Sequence, residues 1–366
     1  MKKNKALFAI SNLWLWHATR TLAVIDMYLL KNYEIDIICY WNTLNFLKEE
    51  LKWKKIKYIK MVDYPHLERW FWVFYYVYLF FDVFKTLRLI NKEKKYIKNI
   101  ENNYDFIFSD WRYWVYSRNT PSFLLSHQLS FVMPKLYHNA QIFVDYYNKK
   151  HFKNFKVVFI PDYKKENKSL SWKLSHPKWV DSINHKYIWI LSSFYDTKLI
   201  KKNLQEIDYY FVISWYLLGN KQSFIDTLIS EAKKLEWKKV FVLGDTNNYY
   251  IKELENDITI YSCISGEQRK QFFENAKLVI SRSWYTTIMD CAELDKKAIL
   301  FPTTNQTEQE YLADFLNEKK YFVIWNNDSD LIELVWKTKS INKFEASGKT
   351  KNALKKIEKT ISEFCE

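Results

Sequence analysis

The sequence predicts an α/β protein built from two doubly wound domains. Short, nearly continuous apolar runs, typical of buried parallel strands, alternate with segments of helical periodicity. The alternation runs through the first half of the chain and starts again after residues 190–205. At 366 residues the chain is too long for one ordinary α/β domain and suits two. We therefore expect domains at 1–195 and 196–345, followed by a C-terminal helix at 346–366.

In the first half the predicted strands are all short apolar runs. They are Ala6–Ser11, Ile35–Tyr40, Ile56–Met61, Tyr104–Ser109, Ser122–Ser126, Val157–Ile160 and Tyr187–Leu191. Helical segments are predicted at His17–Lys31, Asn42–Lys52 and Phe71–Leu89. The segment Asp162–His185 is polar and has no clear period, so we expect an irregular loop there.

The second half repeats this organisation. Its predicted strands are Tyr209–Ser214, Lys239–Leu243, Ile258–Cys263, Leu278–Arg282, Ala298–Phe301 and a short one at Tyr321–Ile324. The lysine-rich segment Phe344–Phe364 predicts the terminal helix. No internal repeat is visible, which excludes a solenoid or propeller.

Polar side chains gather in one stretch, Ser281–Tyr311, which has the pattern strand, turn, helix, strand, turn, helix. Thr286, Thr287 and Asp290 are expected on one face of its first helix, and Ile288, Cys291 and Ala292 on the other. Glu308, Gln309 and Glu310 begin its second helix. These side chains collect where two neighbouring strands end and two helices begin, which is where open α/β sheets bind nucleotides.

Composition excludes several classes of protein. The chain is 48% apolar and 27% charged, which is typical of a globular protein and not of a disordered one. No run of about 18 apolar residues is present, and the apolar run after the basic N-terminus is too short for a signal peptide. The cysteines Cys39, Cys263, Cys291 and Cys365 have no metal-ligand spacing. We interpret them as free thiols and expect a cytoplasmic protein.

The formal net charge of +14 has two interpretations. A basic protein can bind nucleic acid or a membrane surface. The lysines are scattered, however, and the chain is rich in the residues of AT-rich codons (Lys, Asn, Ile, Tyr, Phe). We attribute most of the charge to this compositional bias.

Glycine and tryptophan are present in unusual numbers, four and sixteen respectively, although average usage predicts roughly 25 glycines in a chain of this length. Many tryptophans occupy turns or helix ends, where glycine is favoured. Examples are Trp14, Trp16, Trp41, Trp53, Trp215, Trp237, Trp284 and Trp325. Some bacteria read the codon UGA as glycine, whereas another genetic code reads it as tryptophan. We hypothesise that most of these tryptophans are glycines in the living protein; a protein that is truly rich in tryptophan is the alternative.

The first strand is followed by SNLWLWHATR, which becomes SNLGLGHATR if glycine replaces Trp14 and Trp16. A glycine-rich turn between a strand and a helix lets backbone N–H groups approach a phosphate or sugar. His17 would then begin the helix, where a neutral imidazole can accept a hydroxyl proton. A helix-capping or core histidine is the alternative interpretation.

This N-terminal turn and the segment ISRSWYTTIMDCAELDKKAILFPTTNQTEQEYLA together resemble GT-B glycosyltransferases of the MurG-like group, family 28 in the C-terminal half. The similarity is strongest over 6–25 and 276–316. It implies two Rossmann-like domains facing across a cleft. Arg282, Ser283 and Trp284 match the positions beside the nucleotide diphosphate in that group.

The resemblance also implies roles for three acidic or amide residues. Asp290 occupies the place of the acidic residue that holds the ribose hydroxyls, which is usually a glutamate. Gln309 and Glu310 stand where a Gln-Gln pair contacts the donor sugar, so this change suggests a donor other than N-acetylglucosamine. Ser214 and Trp215 follow the first strand of the second domain, where they either resemble the loop that holds the donor phosphates or form an ordinary strand-end turn. The predicted donor-binding residues are Ser214, Trp215, Arg282, Ser283, Trp284, Thr286, Thr287, Asp290, Gln306, Glu308, Gln309 and Glu310.

The acceptor side is predicted from the first domain. Trp14, Trp16 and His17 correspond to a loop that faces the acceptor, and SDWRYW places two charged residues at a strand end, where they either bind the acceptor or form a structural Asp–Arg pair. The predicted acceptor-side residues are Trp14, Trp16, Arg20, Asp110, Arg112, His127 and Gln128.

Two further segments have competing interpretations. Asp328-Ser329-Asp330 looks like a metal-binding DxD motif, but we expect it to cap a helix. The aromatic run Phe71–Phe81 is either a core helix or a segment that contacts a membrane surface near a lipid-linked acceptor, with basic residues following it.

The sequence therefore predicts an inverting glycosyltransferase of the hexosyltransferase type, with a nucleotide-diphosphate donor, UDP-linked by resemblance, and His17 as general base. We expect a saccharide or lipid-linked acceptor, a role in cell-envelope or glycoconjugate synthesis, no metal and no other cofactor, no nucleic acid, and peripheral contact with the inner face of the cytoplasmic membrane. The alternatives are a nucleotide-sugar epimerase or hydrolase of the same fold, and a basic protein that binds nucleic acid or a membrane surface.

Overall fold

The computed structural model describes residues 4–12, 15–62, 75–132, 141–195, 206–213, 221–245, 249–304, 306–326, 329–342, 344 and 349–365. Within its helices the side chains of residues 15–16, 75–84 and 221 are not described. The aromatic run Phe71–Phe81, interpreted as either a core helix or a membrane-contacting segment, therefore lies outside the described side chains.

The strands in chain order are β1 Lys5–Ile10, β2 Glu34–Cys39, β3 Ile56–Lys60, β4 Phe106–Asp110, β5 Ser122–Leu125, β6 Val157–Ile160, β7 His185–Tyr187, β8 Ile207–Val212, β9 Lys239–Val242, β10 Ile251–Leu254, β11 Ile258–Tyr261, β12 Ala276–Arg282, β13 Ala298–Phe301 and β14 Val323–Ile324. The helices are α1 Leu15–Leu30, α2 Trp41–Glu50, α3 Tyr75–Ile100, α4 Gln141–Phe152, α5 Trp172–Ser175, α6 Lys221–Lys233, α7 Gly266–Asn275, α8 Tyr285–Glu293, α9 Thr307–Glu318, α10 Leu331–Lys337 and α11 Thr350–Cys365.

The described strands form two sheets. The first has the order β3-β2-β1-β4-β5-β6-β7 and is parallel throughout. The second has the order β10-β11-β9-β8-β12-β13-β14, and its edge strand β10 alone runs antiparallel. Most inner strands are buried on both faces, as their continuous apolar runs predict.

The prediction of an α/β fold with two doubly wound sheets is confirmed. The strands of the first sheet all precede residue 190, and those of the second all follow residue 205. The exact domain limits at 195 and 345 remain predictions.

The C-terminal helix α11 packs on the first sheet rather than on the second. Ala353, Leu354, Ile357 and Ile361 belong to the same core cluster as Phe8 of β1. The chain thus returns to its first half after completing the second sheet, and this helix joins the two halves.

The structure also corrects several local predictions. The last strand of the first half is His185–Tyr187, not Tyr187–Leu191, and the residues after it form a mostly buried connection without regular secondary structure. Strand β10 and helix α4 were not expected from the sequence. Both lack a strong period, since β10 is an exposed edge strand and α4 has no continuous apolar stripe.

Helix α8 is buried on all sides, on the face that carries Thr286, Thr287 and Asp290 as well as on the apolar face. All nine residues from Tyr285 to Glu293 are buried. One side packs in the core of the second domain, while Tyr285 reaches the other half and donates a hydrogen bond from its hydroxyl to the Pro161 carbonyl at 2.7 Å. The first half of the chain therefore covers the polar side of α8.

Among the described residues, no helix combines the length and the apolar character needed to span a membrane.

Candidate active site

The centre of the site is a buried cluster at the carboxyl edge of the first sheet. β1 and β4 are adjacent, and Ile10 pairs with Asp110, so the start of α1 lies beside the end of β4. His17 Nδ1 is 2.7 Å from Asp110 Oδ1, while Arg20 Nε and the Thr21 hydroxyl donate to Asp110 Oδ2 at 2.8 and 2.7 Å. Asp110 is therefore held by three neighbours on one turn of α1.

The hydrogen-bond chemistry determines which ring nitrogen of His17 carries the proton. A guanidinium can only donate and an ionised carboxylate can only accept. His17 Nδ1 lies 3.0 Å from Arg20 Nη2 as well as 2.7 Å from Asp110 Oδ1, and it cannot serve both. The shorter bond, to an ionised acceptor, is the stronger one. His17 therefore holds its proton on Nδ1, which leaves Nε2 as the basic nitrogen.

Electrostatics keep His17 neutral and Asp110 ionised. Burial lowers the pKa of His17 below 6.5 and outweighs the opposing effect of Asp110. Burial alone would raise the pKa of Asp110, but the adjacent charge of Arg20 and the hydrogen bonds from Arg20 and His17 hold that pKa well below 3.8. A neutral imidazole fixed by a carboxylate is the arrangement that a general base requires.

A hydrogen-bonded chain continues from this cluster to the second half of the protein. Arg20 Nη1 donates to His127 Nδ1 at 3.0 Å, so the proton of His127 is on Nε2. His127 Nε2 then donates to Glu308 Oε1 at 2.9 Å, across 181 residues of sequence. The His127 ring also stacks on Tyr285, with ring centroids 4.2 Å apart and planes 6° apart. The carboxyl edges of the two sheets therefore face each other, with His127 between them.

On the second sheet, Arg282 is a buried cation at the end of β12. Its Nη1 donates to Thr303 Oγ1 at 2.7 Å, and the guanidinium lies over the rings of Phe224 and Phe301 at 4.7 and 5.4 Å. None of the ion pairs found among the described residues includes Arg282, and burial lowers its pKa to about 10. A buried cation without a carboxylate is costly unless an anion joins it.

Arg282 is connected to Gln309 through Thr303. The Thr303 backbone N–H donates to Gln309 Oε1 at 2.9 Å, which assigns the orientation of that amide. Gln309 Nε2 is then buried without a hydrogen-bond partner among the described residues, as are Arg282 Nε and Gln306 Oε1. Such groups are normally satisfied in folded proteins. These three polar groups lie close to Thr303 and the start of α9.

Helix α8 begins directly after Arg282 and Ser283. Its N-cap is Trp284, whose side chain makes no capping hydrogen bond, because an indole has no acceptor. Ser283 donates from its hydroxyl to the Gln309 carbonyl at 2.9 Å and so joins the starts of α8 and α9.

Asp290 contacts the connection between the two halves. Its Oδ1 accepts a short hydrogen bond from the Ser192 hydroxyl, and burial raises its pKa to about 6. The nearby cation of Arg269 opposes this rise. The predicted role of Asp290 in holding a ribose remains a prediction.

The structure describes some of the remaining predicted site residues and leaves others undescribed. Trp14, Ser214 and Trp215 lie outside the described residues, and of Trp16 only the backbone is described. Thr286, Thr287 and Gln128 are buried near the cluster, whereas Glu310 is half-buried on α9, and Glu308 is the carboxylate that contacts His127.

Arg112 does not form the predicted pair with Asp110. It is turned toward α3, where its Nε and Nη2 donate to Glu93 Oε1 at 2.9 and 2.7 Å. β4 ends at Asp110 and the chain turns at Trp111, whose φ is 62°, so Asp110 faces α1 whereas Arg112 faces α3. Sequence reasoning missed Glu93, Thr21, Ser192 and Tyr285, because none has a local motif.

The segment ending at Asp330 caps a helix, as predicted. The Asp330 side chain accepts from the Ile332 backbone N–H at 2.9 Å and begins α10. Asp328 lies outside the described residues.

Comparison with known proteins agrees with this architecture. Residues 222–364 match the glycosyltransferase family 28 C-terminal domain. None of the curated protein sequences matches the chain.

Solved structures extend the similarity to the whole chain. MurG of Acinetobacter baumannii has a TM-score of 0.57 at 13% identity, covering 98% of this chain and 99% of its own. Arabidopsis thaliana UGT89C1 has a TM-score of 0.65 at 9% identity, covering 99% of both chains. The spinosyn forosaminyltransferase SpnP has a TM-score of 0.61 at 10% identity, covering 98% of this chain and 99% of its own.

The fold is therefore that of the GT-B glycosyltransferases, and the chain is an enzyme of this class. Residues 222–364 carry the family 28 C-terminal domain, and the similarity in fold to MurG agrees with the resemblance stated from the sequence.

Proposed function

We propose that this glycosyltransferase transfers a sugar from a UDP-linked donor to an acceptor hydroxyl, with inversion at the anomeric carbon. The observation that carries the proposal is the hydrogen-bonded chain from His17 through Asp110, Arg20 and His127 to Glu308. This chain of hydrogen bonds connects a base in the first half with the polar residues of the second half that are predicted to bind the nucleotide-sugar donor. One of the structural neighbours is a complex of UGT89C1 with UDP-L-rhamnose.

His17 acts as the general base in this proposal. Its Nε2 accepts the proton of the acceptor hydroxyl while the hydroxyl oxygen attacks the anomeric carbon. The bond between that carbon and the diphosphate oxygen breaks, and UDP leaves with the electron pair. Asp110 is a positioning residue that keeps the proton of His17 on Nδ1 and stabilises the imidazolium that forms.

Arg282 and the N-terminus of α8 stabilise the departing diphosphate. Both are positive, and both lie at the carboxyl end of β12. Gln309 Nε2 and Gln306 Oε1 supply a donor and an acceptor for the hydroxyls of the sugar or ribose. Because Arg282 and the helix supply this positive charge, we propose that transfer requires no metal ion.

A donor screen followed by product analysis tests the proposal. We expect UDP-sugars to raise the midpoint of thermal unfolding more than GDP- or TDP-sugars, and NMR of the product to show the anomeric configuration opposite to the donor. Added EDTA should leave the rate unchanged. Retention of configuration, or release of free sugar alone, would contradict the proposal and favour another chemistry on this fold.

We also propose that the acceptor side contacts an anionic membrane surface, in a cytoplasmic protein of glycoconjugate synthesis. Helix α4 exposes Ile142, Phe143 and Tyr146 at 74, 77 and 68%, and its last turn carries Lys149 and Lys150. Exposed apolar side chains next to lysines suit contact with anionic headgroups.

Co-sedimentation with vesicles tests this contact. We expect binding to phosphatidylglycerol vesicles but not to phosphatidylcholine ones, and a loss in Phe143→Ser. Ile251→Ser, at a half-exposed apolar position on β10, is the matched control. Equal binding of the two variants would exclude α4 as the contact.

A further inference from the structure

Four tryptophans have a backbone conformation that L-residues with large side chains avoid. Ten described residues other than glycine have positive φ, and Trp41, Trp111, Trp189 and Trp237 are among them, at 44°, 62°, 62° and 67°. The other six are asparagine, aspartate or lysine. Asparagine and aspartate tolerate this left-handed region, whereas a bulky residue there is a genuine outlier.

Aromatic character does not account for these angles. The chain contains 27 tyrosines and 26 phenylalanines, yet no described residue of either type has positive φ. Tryptophan is less common, at sixteen residues, and supplies four cases. The backbone therefore treats these positions as glycine positions.

Three of the four positions follow strands of the first sheet. Trp41 comes two residues after the end of β2, Trp111 directly after β4, and Trp189 two residues after β7. The fourth, Trp237, is in the turn that leads into β9. The first three thus lie along the carboxyl edge that faces the second sheet.

Trp111 lies directly against the proposed base. Its ring centroid is 5.7 Å from that of His17, and it also contacts Tyr113 and Phe131 at 5.3 and 5.9 Å. Its indole Nε1 is buried without a hydrogen-bond partner among the described residues. His17 itself is only 2% exposed. An acceptor hydroxyl has to reach His17 Nε2, and the indole occupies space beside that ring.

We infer that the functional protein carries glycine where this chain has Trp41, Trp111, Trp189 and Trp237, and that the glycine in place of Trp111 opens the route of the acceptor to His17. The first part depends only on backbone geometry. The second rests on the proposed function. A codon that the native organism reads as glycine accounts for tryptophan at these four positions and for the low total of four glycines in the chain.

Thermal unfolding of single variants tests the backbone argument without reference to activity. We expect Trp237→Gly and Trp41→Gly each to raise the unfolding midpoint by about 2 °C or more, because glycine relieves the left-handed conformation. Trp237→Ala and Trp41→Ala are the matched controls, since alanine removes the indole but keeps the strained angle. Equal midpoints for glycine and alanine would overturn the inference.

The mass of the native polypeptide provides a direct test. We expect tryptic peptides that span positions 41, 111, 189 and 237 to have the masses of the glycine forms. Tryptophan masses, or UGG codons at these positions, would overturn the inference.

The acceptor route is tested by comparing three chains. One changes all sixteen tryptophans to glycine, a second is identical but retains Trp111, and a third retains Trp237 instead. We expect the first and third to transfer sugar at similar rates below their unfolding midpoints, and the second to be at least tenfold slower at subsaturating acceptor. Equal rates for the second and third would overturn the role of position 111. Failure of the first chain with every donor, alongside stabilisation by single glycines, would contradict only the proposed function.

Discussion

At the scale of single residues, the proposed base catalysis depends on how the Asp110 carboxylate is shared among its hydrogen-bond donors. Asp110 accepts from Arg20 and Thr21 through one oxygen, and the other oxygen contacts His17 and Arg20. The arrangement keeps Asp110 ionised in a buried place and leaves His17 Nε2 as its basic nitrogen. Burial without Asp110 would leave the imidazole free to adopt either tautomer.

Replacing Asp110 tests this division of roles. In a chain that is active, we expect Asp110→Asn to lower kcat by about 10²–10⁴-fold with a smaller change in the donor KM, since the imidazole loses its fixed tautomer. Asp110 raises the pKa of His17, so the acidic limb of the pH–rate profile, already below pH 6.5, should move further down in the variant. Steady-state kinetics from pH 4 to 8 measures both effects. Asp314→Asn, at an exposed position, is the control, and an unchanged limb would contradict the role of Asp110.

The base itself requires a separate variant. We expect His17→Ala to reduce turnover far more than it weakens UDP-sugar binding, because His17 lies on α1 of the first half, whereas Arg282 ends β12 of the second sheet. Single-turnover kinetics and isothermal titration separate the two quantities. Turnover near that of the parent chain would place the base elsewhere.

At the scale of elements, the N-terminus of α8 lies at the proposed diphosphate site, and the rest of the helix is buried. Its start follows Arg282, and its centre carries Asp290, which burial makes a weak acid with a pKa of about 6. A group whose folded pKa lies above its unfolded value binds extra protons in the folded state. The cost of Asp290 to stability is therefore complete above a pH of about 6, and it is lost as the pH falls from the folded pKa of about 6 to the unfolded pKa of 3.8.

Asp290→Asn should remove that cost. A rise from 3.8 to about 6 corresponds to roughly 3 kcal/mol, so we expect the variant to unfold with a higher free energy at pH 8 and with little change at pH 4. The asparagine amide would be neutral, and its oxygen would still accept from Ser192. Urea unfolding at the two pH values measures this effect. We also expect weaker UDP binding at pH 8, and a variant less stable at pH 8 would contradict the assigned pKa.

Arg282 offers a second test at this scale. Arg282→Met keeps most of the volume and removes a buried charge that has no acidic partner among the described residues. We expect a higher unfolding midpoint without ligand and at least tenfold weaker UDP binding, because the diphosphate loses a cation. Arg118→Met, at an exposed position, is the matched control. Unchanged UDP binding would exclude Arg282 from the donor site.

At the scale of the whole molecule, the two halves are joined at separate places. His127 bonds Glu308 and stacks on Tyr285, the Gly266 backbone N–H donates to Glu50 at 3.0 Å, and α11 crosses back onto the first core. Of these contacts, the one through His127 continues to Asp110. The closed arrangement of the halves is thus coupled to the proposed base.

His127→Phe should loosen this arrangement. The ring can still stack on Tyr285, but both hydrogen bonds are lost, so we expect a larger radius of gyration by small-angle scattering and higher KM values for both substrates. Glu308→Gln, whose amide oxygen can still accept from Nε2, should retain the compact radius. His185→Phe is a control outside the contact. An unchanged radius in His127→Phe would show that the other contacts suffice.

Local sequence patterns determined the buried strands, the polar residues of the donor side and the turn positions of this protein. The buried strands are readable because each is a continuous apolar run, and the donor-side polar residues are readable because they lie together within 281–311. Tryptophan at turn positions likewise indicates glycine from the sequence, and the positive φ angles at Trp41 and Trp237 agree with it. These features depend on neighbours a few residues apart.

The partners within the site were decided only by the tertiary structure. His17 meets Asp110 across 93 residues because β1 and β4 are adjacent in the sheet, and local periodicity carries no information about strand order. Arg112 faces Glu93 instead of Asp110 for the same reason, since α3 covers that face. The contact of His127 with Glu308 requires two sheets to meet. Proximity along the chain predicts the elements, whereas the packing of sheets and helices selects which of their side chains act together.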